Sequence, residues 1–167
     1  MSEQPITAVY PGSFDPLHLG HVDIVRRASG MFPRVVVAIL ENTEKQPLLP
    51  VSERVRLATE SLAGFPGVEV TAFSGLLVDF MRHSRARIIV RGMRAVSDFE
   101  YEFQLALMNR RLWDAVDTVM LTPNEAFVYL SSRVIKEIWV LGGDVSGFVP
   151  DPVLRSLLAL RDGRTPR

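Results

Sequence analysis

Three histidines occur in the 167-residue sequence, and two of them, His18 and His21, stand three residues apart with Gly20 between them. They follow a short β-branched run and the turn formers Pro11, Gly12 and Pro16. Turn chemistry accounts for the prolines and Gly12, but not for the imidazoles. Where a helix begins, imidazoles and free backbone N–H groups together make an anion site, and a glycine lets a ligand approach the backbone. For His18, a core histidine satisfied by backbone is a fair competing reading; for His21 the functional reading is preferred. A metal at the pair is disfavoured, because the chain has no cysteine and His83 falls on a distant helix.

Other candidates also stand where apolar segments end. Lys45 is one of only two lysines among the 19 basic residues, in the stretch Glu41 to Pro47. Arg91 and Arg94 enclose Gly92 and Met93, and planar guanidinium groups can bind two phosphate oxygens at once. Ser131, Ser132 and Arg133 follow Phe127, Val128, Tyr129 and Leu130 at the start of a helix, the place for a triphosphate cradle. Each has a plainer reading: a solvated loop charge for Lys45, ion pairs with Asp98, Glu100 or Glu102 worth roughly 0–1 kcal/mol each for the arginines, ordinary caps for the serines. The plain reading is kept for Arg82, Arg85 and Arg87, and Lys136 is read as a structural or interface charge inside its helix.

These groups need elements to bring them together. Five short apolar segments recur, at Ile6–Tyr10, Val35–Leu40, Val68–Ala72, Arg87–Val90 and Thr118–Leu121. Helical spacing lies between them: Val22, Ile24, Val25 and Ala28; Val55, Leu57, Ala58 and Leu62; and a short stretch from Leu76 to His83. The next helix is predicted to start at a capping box of Ser97 and Glu100, with Phe99, Phe103, Ala106, Leu107 and Leu112 along it. Two more helices are expected around Ser132–Val140 and Val153–Leu160. Strands apolar on both faces, alternating with helices, specify an α/β fold: a doubly wound five-stranded parallel sheet with a C-terminal helical extension. We read one domain over residues 1–167, with a core about 6–140, C-terminal helices about 132–161 and a tail at 162–167. Ligands of such sheets sit beyond the carboxyl ends of the strands, where the strand order reverses. The candidate residues all fall in loops at that edge.

Composition excludes several classes. Without cysteine there is no disulfide scaffold, thiolate metal site or cysteine nucleophile. Nineteen basic residues balance nineteen acidic ones, which disfavours a polyanion clamp, and no nucleic-acid partner is expected. Five arginines between Arg82 and Arg94 with no intervening acid suit a small anionic ligand instead. Apolar runs are too short to cross a bilayer and the first residues lack a secretion signal, so a soluble cytoplasmic protein without a membrane partner is the expectation.

The string Tyr10-Pro11-Gly12-Ser13-Phe14-Asp15-Pro16 followed by His18-Leu19-Gly20-His21 resembles the His-x-Gly-His signature of the nucleotidyltransferases. With Arg91-Gly92-Met93-Arg94, Asp98-Phe99-Glu100-Tyr101-Glu102 and Ser131-Ser132-Arg133-Val134-Ile135-Lys136-Glu137, it resembles the bacterial phosphopantetheine adenylyltransferase family from about residue 6 to 160. The resemblance implies a Rossmann-like nucleotidyltransferase fold and transfer of the adenylyl group of ATP to 4'-phosphopantetheine, giving dephospho-coenzyme A and pyrophosphate. It implies His21 as the catalytic group, and Ser13, Lys45, Leu77 and Arg91 as contacts of phosphopantetheine. ATP would be held by Ser13, Phe14, His18, His21, Gly92, Met93, Arg94, Glu102, Phe127, Val128, Tyr129, Leu130, Ser131, Ser132 and Arg133. Arg133 stands where some members have a third serine. Mg²⁺ would travel with ATP, with no dedicated carboxylate cage. A homohexamer inhibited by coenzyme A is also implied. Two alternatives are a sister transferase with another phosphate acceptor and a catalytically silent nucleotide-binding module. A pyrophosphate-release screen over acceptors separates the first, and a single-turnover assay with ATP the second.

Overall fold

A computed structural model describes residues 6–41 and 47–163. Its strands are β1 (Thr7–Gly12), β2 (Arg34–Leu40), β3 (Val68–Phe73), β4 (Ile88–Gly92) and β5 (Asp117–Leu121). The helices are α1 (Leu19–Ser29), α2 (Val51–Leu62), α3 (Leu77–His83), α4 (Val96–Leu112), α5 (Ser132–Val140) and α6 (Asp151–Arg161). All strand pairs are parallel, in the order β3-β2-β1-β4-β5. The expected five-stranded doubly wound sheet is therefore present, and the order reverses between β1 and β4.

Because side chains alternate along a strand, the central strands supply two cores. Ala8 and Tyr10 of β1 with Val35, Val37 and Ile39 of β2 pack under α1, α2, α5 and α6. Val9, Val36, Ala38 and Ile89 face the other way, toward Met81 of α3 and Val116. Each large side chain fully buried here, such as Ile39 or Leu57, contributes about 1.5–3 kcal/mol. α6 is fastened to α2 by an ion pair, Arg155 to Glu60, and by the Ser156 hydroxyl donating to Glu53 at 2.8 Å. Among the described residues, no helix is long and apolar enough to cross a membrane.

Two expectations about α4 are corrected. Its first residue is Val96 and its N-cap Ala95, so Ser97 is already inside the helix and is not the cap. Asp98 does the end-binding instead: its carboxylate accepts from the Arg94 backbone N–H at 3.2 Å. The apolar side chains of α4 do not form a core stripe either. Phe99, Phe103, Leu107 and Leu112 are all exposed on this chain. The reason lies in the helix composition: Tyr101, Leu105 and Met108 add apolar residues on other sides, so no single face is selected for burial.

Candidate active site at the strand-order switch

β1 pairs with β2 as far as Gly12, but with β4 only over Ala8–Ile88 and Val9–Ile89. The carboxyl ends of β1 and β4 part, and the loops that follow them line the opening. Two adjoining cavities occupy it. The larger, about 710 Å³, is walled by Asp15, Leu77, Arg91, Leu105 and Lys136 among others. The smaller, about 330 Å³, takes in His18, Gly20, His21, Arg94 and both serines, Ser131 and Ser132. Pro11, Gly12, Ser13 and Arg91 line both.

The histidines build the start of α1. His18 is the N-cap, and its Nδ1 accepts from the His21 backbone N–H at 3.3 Å. In return, His21 Nδ1 accepts from the His18 N–H at 3.2 Å. This is a capping box made of two imidazoles, with ring centroids 3.5 Å apart in a stack. Spending both Nδ1 atoms as acceptors assigns the proton of each neutral ring to Nε2. Burial holds the His21 pKa well below its ordinary value, helped by His18 and Arg94. Burial and Arg94 bring His18 down to about 3. Both rings are therefore neutral Nε2–H donors at neutral pH. Gly20 is the residue that lets them stack: a Cβ there would meet the His18 ring at 3.0 Å. Thus the plain reading of His18, a buried histidine satisfied by backbone, is borne out, and the same ring forms part of the wall of the smaller cavity.

Phe14 holds a left-handed backbone, φ 47°, that a phenylalanine adopts only under constraint. Its ring is buried edge-on against Tyr10 and His21, at 5.3 and 4.9 Å, which holds that conformation. On the opposite wall, Arg94 Nη1 donates to the Leu130 carbonyl at 2.7 Å, tying the end of β4 to the segment before α5. Ser132 donates to the Pro16 carbonyl at 2.9 Å, and Ser131 caps α5 by accepting from the Val134 N–H. The capping reading of Ser131 is borne out, and its position on the cavity wall is not at odds with it.

The ion pairs that would make the arginines ordinary are present as well. Arg94 Nε lies 3.1 Å from Asp98, and Arg91 Nε 3.2 Å from Glu102 Oε2. The second pair lacks hydrogen-bond alignment, because Glu102 Oε2 is buried with no hydrogen-bond partner. Burial raises the Glu102 pKa, with Asp98 adding to the rise while Arg91 and Arg94 oppose it. An orphaned acceptor in a cavity wall is one that a ligand donor can satisfy.

Other candidates are placed differently. Lys45 lies outside the described residues. Leu77 and Gly92 line the larger and smaller cavities respectively, and Phe127 lines the smaller. Val128 and Tyr129 are exposed, and neither they nor Met93 lines either cavity. Arg133 does not converge on the site: its side chain is 88% exposed and pairs with Glu137 one turn on. At the second residue of α5 it points away because Ser132 and Ile135 take the inward positions. Lys136 is the opposite case. One turn past Ser132, it reaches the larger cavity and bonds Asp15 Oδ2 at 3.1 Å. Sequence reasoning missed Asp23, a buried carboxylate of α1 that accepts from the Asn124 backbone N–H at 2.8 Å and so anchors the loop after β5. Burial alone would raise its pKa, but the bonds from Arg26, Asn124 and Arg27 outweigh that and hold it below the ordinary value. The spacing Asp23, Arg26, Arg27 resembles any helical ion-pair cluster, so nothing local marks it.

A parallel sheet of this order, with imidazoles, arginines and serines gathered at its switch point, defines a nucleotidyltransferase architecture. Consistent with that, the family model described as cytidylyltransferase-like matches residues 9–138. A solved structure from Vibrio parahaemolyticus, provisionally assigned as a nicotinate-nucleotide adenylyltransferase, shares the fold with a TM-score of 0.69 at 18% identity, over 93% of this chain and 99% of that one. Curated relatives are much nearer. The phosphopantetheine adenylyltransferase of Thioalkalivibrio sulfidiphilus is 56% identical over 92% of this chain and 97% of its own. That of Aromatoleum aromaticum is 56% identical over 90% and 93%, and that of Bordetella petrii 53% over 92% and 91%. The chain belongs to the phosphopantetheine adenylyltransferase family of cytidylyltransferase-like nucleotidyltransferases.

Proposed function

We propose that this protein transfers the adenylyl group of ATP to 4'-phosphopantetheine, yielding dephospho-coenzyme A and pyrophosphate. The observation that carries the reading is the pair of cavities meeting at Ser13 and Arg91 beside His21. A nucleotide in the smaller cavity and a phosphate-bearing acceptor in the larger would present their reacting atoms to each other there. The apolar stretch of the larger wall, Phe73, Leu76, Leu77 and Leu105, suits the pantetheine arm.

In the proposed reaction an acceptor phosphate oxygen attacks the α-phosphorus of ATP in line. The new O–P bond forms as the bond to pyrophosphate breaks, and pyrophosphate leaves with the electron pair. The attacking oxygen is already anionic, so no general base is needed, and catalysis is positioning plus stabilisation of charge. His21 would donate its Nε2–H to a nonbridging α-phosphate oxygen. His18, through the reciprocal cap, fixes which nitrogen carries that proton, and the amides of the first turn of α1 add donors. Arg91, Ser13 and Lys45 would hold the acceptor phosphate, and Arg94, Ser131 and Ser132 the β- and γ-phosphates. Glu102 would accept from a hydroxyl or amino group of the nucleotide.

Mg²⁺ would enter as part of the ATP substrate, neutralising phosphate charge. As an ion carried by the nucleotide, it would be held largely by phosphate oxygens and water. A homohexamer with coenzyme A as feedback inhibitor in the cytoplasm is the accompanying expectation; the exposed apolar side chains of α4 support self-association. The test is mass spectrometry of products after mixing the protein with ATP, Mg²⁺ and phosphopantetheine. Dephospho-coenzyme A is expected. Adenylylation of a different acceptor in a parallel screen would support a sister transferase, and no turnover of any acceptor a binding module.

A further inference from the structure

Arg54 takes no part in the chemistry above, yet it lines the larger cavity and is 4% exposed. Its guanidinium is spent on backbone carbonyls rather than on a carboxylate. Nε donates to Leu49 at 3.0 Å, and Nη1 donates to Ser13 at 2.7 Å and Leu40 at 3.1 Å. These acceptors lie in the loop after β1, at the end of β2 and just before α2, which are three walls of the cavity. None of the hydrogen bonds among the described residues engages Nη2, and no carboxylate there lies within ion-pair distance of the group. Asp15 and Glu41 favour its charge through space, but neither is in ion-pair contact with it, and the Asp15 carboxylate is taken up by the Leu48 and Leu49 N–H groups and Lys136. A buried arginine without a paired acid is uncommon, since burying a charge is costly unless something compensates it. A bound anion is such a compensation.

We propose that Arg54 is a positioning residue of the acceptor cavity, holding the Ser13 carbonyl and presenting a fixed positive charge, with no carboxylate in ion-pair contact among the described residues, that selects a phosphate-bearing acceptor. This rests on the proposed adenylyl transfer and goes beyond it by assigning acceptor selection to a residue remote from the histidine, arginine and serine signatures. The carbonyl bonds would fix Ser13 at the junction of the cavities, and the charge would act on acceptor affinity.

The experiment compares the intact enzyme with R54Q and R54K, measuring KM for both substrates, kcat and thermal midpoint. Wild-type turnover of phosphopantetheine is established first; its absence would reject the proposed reaction rather than the role of Arg54. R54Q, which keeps donors but no charge, is expected to raise the acceptor KM at least ~10-fold, the size of one charge-assisted hydrogen bond, with the ATP KM within ~2-fold. R54K keeps the charge but releases carbonyls, so its acceptor KM should stay within ~3-fold while kcat falls ~5-fold or more as Ser13 loosens. A merely structural arginine would lower the thermal midpoint without separating the two KM values. The proposal is overturned if R54Q leaves the acceptor KM within ~2-fold, or if both KM values rise together. Where R54Q does not fold, an acceptor KM raised ~10-fold or more in R54K overturns it.

Discussion

His21 joins three constraints in one side chain: it closes the cap of α1, stacks on His18 and lines the smaller cavity. Its Nδ1 lone pair is taken by the His18 N–H and burial holds its basicity low, so the ring serves as an Nε2–H donor rather than as a proton acceptor. His21→Ala is therefore expected to cut kcat at least ~10²-fold while ATP binding stays within several-fold, as when an oxyanion donor is lost. Steady-state rates and ATP titration check this, and near-normal turnover would reject the assignment. Lowered imidazole pKa values also carry a stability cost in acid. As pH falls through about 6.5, unfolded histidines take up protons and the folded pair does not. The unfolded state then binds more protons, so stability declines from there downward, for His18 until about pH 3. At pH 5 the loss from His18 is roughly 2 kcal/mol relative to pH 7.5. Denaturant midpoints at the two pH values, in the protein and in His18→Asn, measure it: the asparagine keeps a cap acceptor and should flatten the slope. An unchanged slope would show that His18 is not responsible.

At the scale of elements, the site is a meeting of ends. The carboxyl ends of β1, β2 and β4 supply loops, and the amino ends of α1 and α5 supply caps whose hydroxyl and imidazole groups face the opening. These ends are held to one another by polar links. Asp23 joins α1 to the loop after β5, Arg94 joins β4 to the segment before α5, and Ser132 joins α5 to the loop after β1. Asp23 also pairs with Arg26 and Arg27 on its own helix, so its charge survives loss of the loop bond. Asp23→Asn is expected to raise the ATP KM ~3- to 10-fold by loosening that loop, with a smaller change in the acceptor KM, because the loop borders only the smaller cavity. Parallel measurement of the two constants decides; equal changes would show that the link serves both cavities.

For the whole molecule, the outstanding feature is α4. It crosses beside the site with Glu102 on the smaller cavity and Tyr101 and Leu105 on the larger, while Phe99, Phe103, Leu107, Met108 and Leu112 are open to water. Phe99 and Phe103 stack on each other in the open, their centroids 5.6 Å apart. Apolar surface of this kind is a cost for a monomer and a gain for an assembly. Sedimentation of the protein at micromolar concentration is expected to show an oligomer, and the double change Phe103→Glu, Leu107→Glu to reduce it to smaller species. A wild-type monomer would overturn that expectation. Since α4 carries site residues on one side, dissociation should also lower activity, which an assay on the same samples can follow.

Much of this was legible before folding was considered. Five β-branched runs alternating with helical spacing specify a parallel sheet, because only strands covered on both faces are apolar without alternation. That in turn places every loop after a strand at one edge, which is why His18, His21, Arg91, Arg94 and the serines could be grouped from their positions alone. Local pattern could not decide which side chains in those loops turn inward. Arg133 and Lys136 are equally charged and three residues apart, yet helical geometry sends one to solvent and the other to Asp15. Nor does pattern reveal bonds that span the chain: Asp23 to Asn124 and Arg54 to Ser13 join residues far apart in sequence, and neither has a local signature. Strand and helix identity follow from periodicity, a short-range property carried by the residues themselves. Charge placement, tautomer and the division into two cavities depend on which distant backbone groups come within hydrogen-bond reach, and packing alone decides that.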